Sequence, residues 1–139
     1  MKIQILRQDQ KPIEGYQQIT VDRNSLDLAT VSDNECEFIL APDVLDSFSG
    51  DGAGQVIQAL YSKLRLGGTL VIGGTDVRLF SKAVLNGAVG VMDASNIVTN
   101  CHAMTSVEMT KVTLQGLGLF INSTSLDGLH YELKATRQV

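Results

Sequence analysis

Acidic side chains close several apolar runs of this sequence. Asp22 follows Ile19 and Val21, Asp43 and Asp46 follow "CEFILA" at 36 to 41, and Asp76 follows the run from Thr69 to Ile72. A carboxylate at the end of a buried segment can serve as a base, accept a ligand's hydroxyls or form a turn. His102 adds a group that titrates near neutrality, and it precedes a helix cap in an irregular stretch. His102, Asp43 and Asp76 are therefore the catalytic candidates, each set against a plain solvated or structural role. His130 alternates onto the polar side of the last apolar run and reads as an exposed residue. "GDGAGQ", 50 to 55, offers glycine amides to an anion, but it lacks the Lys-Ser/Thr pair of a phosphate loop and reads better as a helix entry. Cys36 and Cys101 lack the flanks of a metal knuckle or a disulfide scaffold, so no metal site is expected and both read as thiols of a reducing compartment.

The elements that must position these groups follow from apolar periodicity. Residues 2 to 6 and 17 to 22 alternate as strands, a short strand is expected at 26 to 31, and 36 to 40 suits a buried central strand. Val56, Ile57, Leu60, Tyr61 and Leu64 recur at helical spacing from about 51 to 65. Gly67 is expected to stop that helix before a strand at 69 to 72 whose two faces are both apolar, as in a parallel strand covered by helices on both sides. A second helix is predicted over 77 to 86 with Gly87 as its stop, an irregular segment over 87 to 103, and a third helix to about Gln115 opened by a Thr105 to Glu108 capping box. Strands at 119 to 125 and 129 to 137 close the chain as a hairpin. Strands alternating with helices predict an α/β domain over 1 to 139 with a mostly parallel sheet and a C-terminal antiparallel hairpin.

The 139-residue length suits one domain with a real core. A net charge of −4 without any basic run argues against nucleic acid as a partner. The first residues resemble neither a signal peptide nor a membrane span, so a cytoplasmic protein is expected.

The order of elements resembles the class I S-adenosylmethionine-dependent methyltransferases. "PIEGYQQITVD" (12 to 22) resembles their connection into an acidic-tipped second strand, and "LYSKLRLGGTLVIGGTD" (60 to 76) their helix, turn and following strand. "VLDSF" (44 to 48), "CHAMTSVEMTKVTLQGLGLFI" (101 to 121) and "HYELKATR" (130 to 137) are similar to later parts of the same domain. The resemblance implies a three-layer Rossmann-like methyltransferase fold, with cofactor contacts at Asp22, Leu6, Arg7 and Ala41. Asp22 would accept the ribose hydroxyls, and Asp33-Asn34 would lie near the adenine unless they form a surface turn.

The sequence departs from that family where the cofactor packs on bare backbone. Glycines are needed there, and this chain has Arg7-Gln8-Asp9-Gln10-Lys11-Pro12. The connection between the first two strands is too short for a full helix with its turns. "APDV" at 41 to 44 lacks the Asn-Pro-Pro-aromatic motif of enzymes that methylate nucleic-acid amino groups. Weak or absent S-adenosylmethionine binding is the expectation, with the domain serving as a pseudoenzyme that contacts a protein partner or itself. The alternative is an active methyltransferase on a small molecule, sugar or protein.

Overall fold

A computed structural model describes residues 1–7 and 10–138 of the chain. Six strands form one sheet: β1 (Lys2–Leu6), β2 (Gln17–Thr20), β3 (Cys36–Ala41), β4 (Leu64–Thr75), β5 (Leu119–Asp127) and β6 (His130–Arg137). Their spatial order is β2-β1-β3-β4-β6-β5, parallel as far as β4 and antiparallel from β4 to β6 to β5. The α/β sheet with a closing hairpin is the arrangement that the sequence predicts.

Period-two alternation builds the core. Ile5 lies beside Ile19, Ile3 beside Ile39, Ile39 beside Leu70, Leu70 beside Ala135 and Ile72 beside Leu133, so one face of the sheet is continuously aliphatic. Two helices cover it: α1 (Gly50–Lys63), capped by Ser49, and, later in the chain, the helix Val107–Gly116. From α1 the stripe of Val56, Ile57 and Leu60 is buried in this core, and Leu114 enters it from the later helix. The other face carries Gln18, Gln4, Leu40, Val71 and Lys134 in register. There the third layer is the connection between β1 and β2, in which no helix forms among the described residues. Buried Gln4 takes the place of helix packing, donating to the Lys11 carbonyl at 3.1 Å and accepting from the Ile13 amide at 2.8 Å.

Four local expectations are corrected. Residues 26–31 form turns rather than a strand, because Asp27 accepts the Ala29 amide and the Val31 amide returns to the Leu28 carbonyl; Leu28 and Val31 still enter the core. α1 ends at Lys63 instead of Gly67, since buried Leu64 is already extended and pairs with Cys36. Gly67 (φ +80°) and Gly68 lie inside β4, where the ladder to β3 shifts register between Cys36 and Phe38. The segment expected to be irregular contains α3 (Val91–Asn100), preceded by α2 (Val77–Leu85). Finally, α4 (Val107–Gly116) is capped by Ser106, which accepts the Met109 amide, so the cap lies one residue later than expected and, with Met109 in the third helical position, is a simple cap rather than a capping box. Thr105 is held instead by the Tyr131 hydroxyl at 2.6 Å.

Neither α2 nor α3 buries a residue, and Leu85, Val91 and Met92 are largely exposed. Among the described residues no helix is long and apolar enough to cross a membrane.

The β4–β6 ladder sets a strict steric limit at Gly73, where an added Cβ would overlap the Tyr131 carbonyl oxygen. Gly73→Ala is expected to cost about 1–3 kcal/mol by forcing the two strands apart. Gly54→Ala, in open space on α1, is expected to add about 0.5–1 kcal/mol. Urea denaturation of the two variants beside the parent checks both signs.

Candidate functional site

Parallel strands bring four chain turns to one end of the sheet. β1 ends in buried Leu6 and continues into Arg7, and the Val21 amide bonds to the Leu6 carbonyl at 2.8 Å, holding the exit of β2 beside it. Asp22 and Ser25 then exchange backbone hydrogen bonds around a turn in which Arg23 takes a left-handed φ of 56°. After buried Ala41, Asp43 also adopts a left-handed φ of 57° and opens a 3-10 turn, Val44–Ser47, that carries Asp46. β4 contributes Thr75 and Asp76. A cavity of about 670 Å³ lies before these ends, with Arg7, Val21, Arg23, Asp46, Thr75 and His130 on its walls. α3 supplies Ile97 and Asn100 from above, followed by Cys101.

Asp46 organises the floor. Its side chain is 2% exposed and accepts the Thr75 amide at 2.6 Å and the Thr75 hydroxyl at 2.8 Å. The Arg7 guanidinium lies 3.7 Å from the same carboxylate. Desolvation raises the Asp46 pKa above its ordinary value, and the Thr75 hydrogen bonds and Arg7 oppose that rise without cancelling it. The Asp46 carbonyl receives the His102 amide at 2.8 Å, which fixes the chain leaving α3. Burial likewise raises the Cys101 thiol, whose sulfur is 3.7 Å from the Thr75 hydroxyl.

The candidate residues separate by position. Asp76 is buried and capped on every side: one oxygen accepts the Arg78 and Leu79 amides of α2, and the other accepts the Val107 amide of α4. It is a structural joint between two helix starts. His102 is exposed and is not among the cavity walls. Asp43 bonds His130 Nδ1 at 3.0 Å, joining the β3 exit to the tip of the final hairpin. Asp22 is exposed at the edge of the cavity, between its wall residues Val21 and Arg23. Asp33 and Asn34 lie at the opposite, amino end of β3, where Asp33 pairs with Lys63 and Asn34 accepts from Arg137. The turn after β1 includes Gln8 and Asp9, which lie outside the described residues. Sequence reasoning missed Asn100 and Cys101 as cavity walls, because they come from the end of a helix that no periodicity marks, whereas Arg23 lies in the 22–24 turn that the parallel topology already singles out.

One ligand atom each of Asp43, Asp46 and His130 lies within 4.8 Å of the others, so these are the residues that would take a cation. The group is already paired internally, Asp46 with Arg7 and Asp43 with His130.

No family model matches the sequence, and no curated protein matches it. Solved structures do. An O-methyltransferase family protein from Burkholderia thailandensis superposes with a TM-score of 0.63 at 16% identity, over 88% of this chain and 36% of that one. A SAM dependent methyltransferase from Archaeoglobus fulgidus gives 0.62 at 11% identity, over 88% of this chain and 68% of that one. A SAM-dependent methyltransferase from Thermotoga maritima, described as a possible histamine N-methyltransferase, gives 0.53 at 15% identity, over 89% and 65%. The chain has the class I methyltransferase fold. It spans little more than a third of the first of these structures and about two thirds of the other two. In an open sheet of this kind ligands bind beyond the carboxyl ends of the strands, where the cavity of this methyltransferase-like domain lies.

The raised Asp46 pKa predicts a pH dependence. An acid whose folded pKa is raised contributes stability below the ordinary carboxylate range and loses it as pH rises through the raised value. Asp46→Asn keeps a carbonyl for the Thr75 amide and a donor for its hydroxyl. Relative to the parent, the variant's stability is expected to improve from acid to neutral pH in denaturation series. An invariant difference would contradict the raised pKa, and a shift favouring the parent would mean that Arg7 outweighs burial.

Proposed function

We propose that this is a methyltransferase-like domain that does not carry out methyl transfer and acts as a binding or assembly module. The observation that carries the reading is Arg7. It stands at the end of β1, where the fold's cofactor packs on bare backbone, and its guanidinium reaches across to Asp46. A glycine there leaves space for a ligand's methionyl part, and an arginine side chain directed towards a buried carboxylate takes up part of that space. The connection from β1 to β2 adds to this, because no helix start follows β1 among the described residues to supply amides for a bound carboxylate. Methyl transfer needs its sulfonium donor held in line with a nucleophile, so loss of the cofactor cradle removes the reaction even where acid-base groups survive.

A module role draws support from α2 and α3. Helices of nine and ten residues are marginal alone, and these expose Leu85, Val91, Met92 and Val98. Such apolar surface suits contact with a protein partner or a second copy. The alternative reading is an active methyltransferase on a small molecule, sugar or protein; it is favoured by the open cavity and by the exposed Asp22 at its edge.

Calorimetric titration of the full chain with S-adenosylmethionine and S-adenosylhomocysteine decides between them. The expected outcome is no binding by a folded sample at millimolar ligand. Micromolar binding that Asp22→Ala abolishes would overturn the proposal.

A further inference from the structure

The cavity walls differ from the rest of the surface in how their arginines are partnered. Outside the cavity, Arg65 pairs with Glu37 at 3.3 Å, Arg78 with Glu108 at 3.4 Å, and Arg137 donates to Asn34 and to the Leu64 carbonyl at 2.7 and 2.6 Å. Arg7 and Arg23 are the two that line the cavity. Arg23 is exposed and has neither an ion pair nor a hydrogen bond among the described residues. Among the described residues the Arg7 guanidinium makes only long contacts, 3.7 Å to Asp46 and 3.5 Å to the Asn100 carbonyl, so it keeps donors to offer. Among the described residues the one carboxylate of the cavity wall, Asp46, is turned into Thr75, and nearby Asp43 is engaged by His130.

Two arginines on the walls of one cavity, just beyond the ends of the adjacent parallel strands β1 and β2, point to an anionic ligand. Planar guanidinium forks match the oxygens of a phosphate in pairs. Val21, Ile97 and Leu129 supply apolar wall for an organic body, and about 670 Å³ is the size of a small-molecule site. We propose that this cavity binds a small organic phosphate monoester, with Arg7 and Arg23 holding the phosphate.

Neither arginine attracts a sulfonium, which is a fixed cation. The proposal thus rests on the reading that S-adenosylmethionine is not the occupant, and goes beyond it by naming the ligand's chemistry. The phosphate is common to nucleotides and sugar phosphates, and the body distinguishes them.

The test is calorimetry on the full chain with adenosine 5′-monophosphate, ribose 5-phosphate, inorganic phosphate, adenosine and S-adenosylhomocysteine. Arg23→Gln is the variant to compare, because Arg7 also neutralises buried Asp46 and its loss would confound folding. At least one ester is expected to bind, about tenfold or more tightly than inorganic phosphate and adenosine, with Arg23→Gln weakening it by about tenfold. Arg23→Lys is expected to recover part of that loss, since it restores charge without the fork. If neither ester binds, if inorganic phosphate or adenosine binds as well as the esters, or if Arg23→Gln binds like the parent, the proposal is overturned. Binding of S-adenosylhomocysteine would instead overturn the non-catalytic reading, whatever the esters do.

Discussion

The buried carboxylate of Asp46 is the constraint around which the ligand end of this molecule is arranged. Removing a charge from water costs several kcal/mol unless hydrogen bonds and an opposite charge replace the solvent. Thr75 gives two of those bonds from the last residue of β4, and Arg7 gives the charge from the end of β1. The exits of three neighbouring strands are thereby joined through one side chain. The Asp46 carbonyl then fixes residue 102, the Thr75 carbonyl receives the Thr105 amide, and Asp76 beside it anchors the starts of α2 and α4. A substitution that clears Arg7 from the cavity also strips Asp46 of its cation, so a glycine at position 7 is not a neutral change.

A second constraint comes from the one-sided core. The main aliphatic rows face α1 and α4, while the opposite face, which also carries Leu40 and Val71, depends on buried Gln4 to hold a short irregular connection. Two backbone partners satisfy the Gln4 amide, which is what permits a polar group there. On the core side, the Tyr131 hydroxyl bonds both Thr105 and Thr110, so β6 and α4 are locked by a small polar cluster inside an otherwise aliphatic layer. Burial raises the Tyr131 pKa and keeps the phenol protonated for those bonds.

These constraints explain what was legible in the sequence. β1, β2, α1 and the final hairpin were readable because their apolar residues face one core, so periodicity reports burial directly. α3 was not, since Val91, Met92 and Val98 are exposed and Gly90 brings no capping side chain. At residues 26 to 31 the apolar spacing was real, as buried Leu28 and Val31 attest, but the side chain of Asp27 selected turns. Thr105 and Ser106 both suit a helix cap, and only the tertiary partner Tyr131 separates their roles. The site divides in the same way. Topology placed it at the strand ends, whereas the pairing of Asp46 with Arg7 depends on a distance that a sequence does not carry.

The chemistry of the cavity follows from a substitution of one kind of positive charge for another. A helix beginning after β1 would bring backbone amides and the positive end of its dipole to a ligand, and these require a close, side-chain-free approach. Here a side chain carries the charge instead. Guanidiniums project several ångströms from the backbone, so they hold an anion farther out than a glycine turn does and leave less room at the strand ends. They also carry full charges, which a helix terminus does not. The same strand exits therefore present two arginine side chains, one of them paired with Asp46, with Val21, Ile97 and Leu129 as their apolar complement. On the proposal that an organic phosphate is the occupant, such a wall would suit an oxyanion on a small body, and retention of the fold would be compatible with a change of ligand class.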